Sequence, residues 1–220
     1  MTTLTDNSVP MMSDQPDYKL VVEQIKQLSW SNLDTSELTK VWYLSWVAAV
    51  EFAEALRIAL DLYPDHRGLA KMARGELKTK NLFLDDYRQA GDHHEFLEHF
   101  LKKHDVINQM DEALVQHGVE YLNACRNLSG ADRAMTVFSR ELELSGIYAR
   151  ILDAPDWSAP GLYAFRHYLE KHIQFDSGTG GHHDLTSDFP VDDHVLPFYE
   201  ARLESFRLVP ALFAKAGVHL

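Results

Sequence analysis

The chain has 220 residues, of which 33 are acidic and 21 basic, a formal net charge of −12, with 45% hydrophobic and 11% aromatic residues. This balance argues against a nucleic-acid partner or an anionic membrane surface, because affinity for phosphate backbones comes mainly from Lys and Arg displacing counterions. A single cysteine, Cys125, excludes an internal disulfide and a thiolate metal cluster and points to a reducing, cytoplasmic compartment.

At this length one domain is the expected packing solution. Residues 1–16 are polar without an apolar core, which predicts a flexible leader rather than a secretory signal, and residues 17–220 are expected to form the domain. A first amphipathic helix is predicted over 17–28, with Leu20, Val21, Ile25 and Leu28 on one side. Asp34 followed by Glu37 then fits an N-cap with a reciprocal carboxylate, opening a helix that runs to about Tyr63 and is stopped by Pro64. That helix is apolar around most of its circumference, and Glu51, Glu54, Arg57 and Asp61 are expected to form its solvated stripe. Its longest apolar run, 41–50, is about half of what a bilayer requires, so no membrane span is expected.

Further helices are predicted over 66–89, 92–104, 109–128, 131–152, 158–175 and 191–215. Breaks fall at Gly91–Asp92, Ser129–Gly130 and the Gly-rich run 177–181. Period-two apolar runs are missing. The fold class is therefore all-α, a single-domain helical bundle of about seven or eight helices.

Five ionisable residues fall inside apolar arcs. His172 centres the face made by Phe165, Tyr168 and Leu169, with Asp176 one turn further on the same face. Glu141 lies among Val137, Phe138, Leu142 and Leu144. His93 shares a face with Phe96, Leu97 and Phe100, and Glu76 one with Leu69, Met72 and Ala73. Taken singly, each reads as a satisfied core group: His172 on a backbone carbonyl, Glu141 with an arginine, Glu76 with Lys80. Taken together they are costly to bury without shared compensation, and a metal held between facing helices supplies it. The Gly-rich loop then delivers His182, His183 and Asp184 just beyond His172 and Asp176.

The segment His172-Ile-Gln-Phe-Asp176 resembles the signature of the heme-oxygenase-like di-iron oxidases and oxygenases: His, three residues, Asp, two residues, His. Here the next histidine comes six residues after Asp176, which leaves His182 and His183 as alternatives. The resemblance extends to a carboxylate and a His seven residues apart, matched by Asp86 and His93 with Asp in place of Glu. It also extends to a lone Glu on the preceding helix, matched by Glu141 with Glu143 as the alternative. It covers roughly 41–213 in helix order, and only the His/Asp segment is specific.

The resemblance implies one or two iron ions, or manganese, held by Asp86, His93, Glu141, His172, Asp176 and His182, with O2 as co-substrate and a small organic molecule as substrate. The expected protein is thus a non-heme iron oxidase or oxygenase of heme-oxygenase-like fold. The alternatives are a metal-free small-ligand binder of the same fold, akin to thiaminase II and cofactorless oxidase relatives, and a structural or homodimerising helical protein.

Overall fold

The computed structural model describes residues 16–177 and 189–214, with only the backbone of 176 and 177. Nine α-helices form among these residues: α1 Asp17–Lys26, α2 Thr35–Leu62, α3 Arg67–Glu76, α4 His93–Lys103, α5 Val106–Gln109, α6 Glu112–Arg126, α7 Gly130–Ile151, α8 Leu162–Ser177 and α9 Leu196–Phe206. Short 3-10 turns occupy Trp30–Asn32, Asp193–Val195 and Pro210–Phe213. Two isolated bridges, Thr79 with Gly91 and Leu84 with Tyr87, are the extent of β pairing among the described residues. The all-helical expectation holds. No described helix is long and apolar enough to cross a membrane. The leader expected over 1–16 lies almost entirely outside the described residues.

The long α2 is the axis of the bundle. Asp34 caps it, its carboxylate accepting the Glu37 amide at 2.8 Å, and Pro64 ends it by lacking the N–H that another turn requires. Packed chiefly against α7 and also against α4 and α6, it buries Leu38, Val41, Trp42, Leu44 and Leu56. Because neighbours approach from several sides, the stripe predicted to be solvated is only partly so: Glu51 is 1% exposed, and this corrects the sequence expectation. The Arg140 guanidinium, brought from α7, meets the Glu51 carboxylate at 2.6 Å and lies between the rings of Phe52 and Phe198 at 4.7 and 4.6 Å. Arg133 of the same helix joins Glu51 to Glu54, at 3.4 and 3.1 Å. An internal charge network thus ties α2 to α7.

Two predicted helices are shortened. The one expected over 66–89 stops at Glu76, and 77–92 runs as an irregular reversal in which Lys78 and Asp85 take positive φ. Hydrogen bonds within the reversal and to α4 replace the helical ones: Thr79 and Gly91 exchange amide-to-carbonyl bonds at 2.9 and 3.0 Å, and the Lys78 amide donates to the Asp92 carboxylate at 3.0 Å. Asp92 also opens α4 through a capping box with Glu95 and pairs with Arg57 of α2. The segment expected as one helix over 191–215 contains α9 flanked by the two later 3-10 turns, with Pro210 barring continuation. The start of α8 falls at Leu162 rather than 158 because Gly161 sits at φ +88°, a conformation that favours glycine. A Cβ there would also meet the His104 ring at 2.6 Å.

Candidate metal centre

Three buried side chains converge where α3, α4 and α8 meet: Glu76 on the last turn of α3, His93 on the first residue of α4, and His172 on α8. Their exposures are 3, 4 and 8%. His93 Nδ1 lies 2.6 Å from Glu76 Oε2 and 2.9 Å from His172 Nε2, and His172 Nε2 lies 3.9 Å from Glu76 Oε2. No other group of three or more His, Cys, Asp or Glu side chains among the described residues meets in this way.

The outer atoms of both rings determine what the inner atoms offer. His172 Nδ1 lies 2.8 Å from the carbonyl of Tyr168. A carbonyl only accepts, so Nδ1 carries the proton and Nε2 of the neutral ring presents a lone pair. His93 Nε2 lies 2.9 Å from Asn81 Oδ1, and Asn81 is oriented by its own amide, which donates to the Gly75 carbonyl at 2.8 Å. The proton of His93 is therefore on Nε2, and its Nδ1 turns a lone pair inward. Two imidazole lone pairs and a carboxylate oxygen face one another, an arrangement that calls for a cation, either a proton or a metal ion. The three separations leave a point about 2 Å from all three atoms, the usual bond length from imidazole nitrogen or carboxylate oxygen to a first-row metal such as zinc.

Burial by itself would push the Glu76 carboxyl up; where protons rather than a metal fill the space between the three groups, the charge this gives His93 and the hydrogen bonds from His172 and His93 outweigh it and hold the carboxyl below the usual range. A metal would need the same carboxylate form with both rings neutral. Aromatic rings wall the cluster: Tyr168 lies 4.0 Å from the His172 ring, Tyr148 packs edge-on against it at 5.7 Å, and Phe175 stacks on His93 at 6.0 Å.

The triad opens onto a cavity of about 40 Å³ whose wall also includes Glu141, Arg140 and Arg202. Glu141 is 6% exposed, inward-facing as its helical phase predicts and on the wall shared with the triad. Its alternative Glu143 points elsewhere, bonding Lys26 at 3.1 Å. Asp86 is not brought here. Its side chain is 57% exposed and pairs with Lys103 at 2.9 Å and His99 at 3.2 Å. Those partners, rather than burial, draw its pKa down to about 2. Asp86 was matched to His93 by a spacing of seven, and that spacing loses its helical meaning because 77–92 is not a helix. Asp176 lies on the final turn of α8, its side chain outside the described set, and His182 and His183 are outside the described residues as well.

Sequence reasoning named Glu76 as inward-facing but gave it Lys80 as partner; the structure gives it His93. Asn81, which orients His93, carries no periodic signal and was missed. No protein-family model, curated protein or solved structure matches this chain.

Proposed function

We propose that the chain is a metal-dependent oxidase or oxygenase in which Glu76, His93 and His172 hold iron beside a cavity that receives a small organic substrate. The observation that carries this reading is the convergence of two imidazole lone pairs, each ring oriented by its own hydrogen bond, and one carboxylate oxygen in a buried site flanked by aromatic rings. Two histidines and one carboxylate from three separate elements form the donor set typical of non-heme Fe(II) oxygenases; thiolate is absent, and coordination positions remain for other ligands. The all-helical fold and the segment His172-x3-Asp176 support the further reading that this is a heme-oxygenase-like bundle, with Glu141 and Asp176 as donors to a second ion.

Iron bound there would supply the activation of O2. The protein's own residues do the rest. Asn81 and the Tyr168 carbonyl hold both rings in the metal-binding tautomer, an outer-shell role that also raises ligand basicity. Tyr148, Tyr168 and Phe175 limit the access of water, and the apolar part of the cavity wall positions the substrate.

The test is elemental analysis of protein purified from iron-supplemented cells, with zinc and manganese counted alongside, for the wild type and Glu76→Gln. Stoichiometric iron in the wild type that is lost in the variant is the expected result. No metal in either protein overturns the reading in favour of a carboxylate–imidazolium pair that holds only a proton, and equal metal content in the two overturns it by showing that the metal is held without Glu76.

A further inference from the structure

Arg202 is a buried cation that neither the triad nor the α2–α7 charge network uses. It sits on α9, 6% exposed, on the wall of the cavity onto which the triad opens. Its Nη1 donates to the Leu44 carbonyl at 2.9 Å, and its guanidinium lies over the Phe206 ring at 4.7 Å. Among the described residues no carboxylate comes within ion-pair distance of it, whereas the cavity's other guanidinium, Arg140, is neutralised by Glu51 at 2.6 Å. Arginine does not shed its proton in a protein, so the positive charge stays, and a buried charge without a counter-ion is costly.

We propose that Arg202 is the anchor for the carboxylate of a small monoanionic ligand, whose apolar body lies against Ala48, Ala49, Ala53, Leu144 and Ile147 of the same wall. Calling this ligand the substrate rests on the proposed function; the anion site itself does not need the metal. A planar guanidinium matches a carboxylate in two parallel hydrogen bonds. One uncompensated positive charge suits one negative charge, while Glu76 and Glu141 on the cavity wall oppose a dianionic phosphate. A cavity of about 40 Å³ exceeds what one water needs and limits the ligand to a compact acid.

The experiment is calorimetric titration of the full chain, metal-free and Mn(II)-loaded, with acetate, with its neutral isostere acetamide, and with inorganic phosphate. In the wild type acetate should bind at least about tenfold tighter than acetamide, the scale of a hydrogen-bonded charge. That preference should fall below about twofold in Arg202→Gln, be partly kept in Arg202→Lys, and survive in metal-free Glu76→Gln. Unliganded Arg202→Met should melt no lower than the wild type, because it removes an uncompensated buried charge; a lower melting point would instead mark Arg202 as a packing residue and overturn the proposal. Equal acetate affinity in wild type and Arg202→Gln overturns it, as does phosphate binding as tight as acetate, binding of neither acid nor amide, or loss of the preference in Glu76→Gln with retention in Arg202→Gln. If the purified protein holds no metal but the Arg202-dependent preference remains, the metal reading fails and the anion site stands.

Discussion

Glu76→Gln is the most informative perturbation because it keeps the shape of the side chain and removes only the charge that completes the triad. A ligand that binds the folded state alone stabilises it by RT ln(1 + [L]/Kd), about 2.7 kcal/mol at a hundred times Kd. For a chain of this size that raises the melting temperature by roughly 5–10 °C. Changes to outer-shell partners alone weaken metal sites by about 10–100-fold, and losing one of three ligands costs about 100-fold or more. The same metal concentration then falls to about Kd or below, where the stabilisation is no more than about 0.4 kcal/mol, roughly 1 °C. The assay is a thermal melt under anaerobic conditions with and without Fe(II), repeated with redox-silent Mn(II). Wild type should respond and Glu76→Gln should not, while Asp86→Asn should behave as wild type because Asp86 is exposed and pairs with Lys103 and His99 instead. Equal responses in wild type and Glu76→Gln, or a lost response in Asp86→Asn, would refute the site as built from Glu76, His93 and His172.

Asn81→Ala should leave all three ligands in place yet weaken metal binding by about 10–100-fold, because His93 Nε2 loses the acceptor that holds its tautomer; competitive titration against a chelator measures it. Glu51→Gln strands Arg140, which is 2% exposed, and should destabilise by about 3–5 kcal/mol in urea with or without metal; adding Arg140→Met should recover most of the loss. Cys125 is 1% exposed, and burial, helped by Glu51, pushes its thiol up to about 12. A thiol reagent at pH 8 should therefore label it only as the chain unfolds, and rapid labelling of the native protein would contradict its placement in the core.

Much of the helical framework was legible in the sequence because it rests on interactions between residues three or four apart. The Asp34 cap, the Pro64 stop, the Ser129–Gly130 break and the apolar periodicity of α2, α4 and α7 are all local, and so is the inward phase of His93, Glu141 and His172. The failures have one cause in common, partners that arrive from elsewhere in the chain. Glu51 lies on the polar stripe of its own helix, and only the approach of α7 with Arg140 buries it in an ion pair. Glu76 has a nearby candidate in Lys80, but the chain reverses at 77–92 through bonds such as Lys78 to Asp92, and this sets Glu76 beside His93. The same reversal leaves Asp86 on the surface and puts Asn81 behind His93. Periodicity within one helix tells which side chains must be covered. Which charge covers them, and whether three lone pairs face a single point, depends on how separate helices pack, and that was decided only in the tertiary structure.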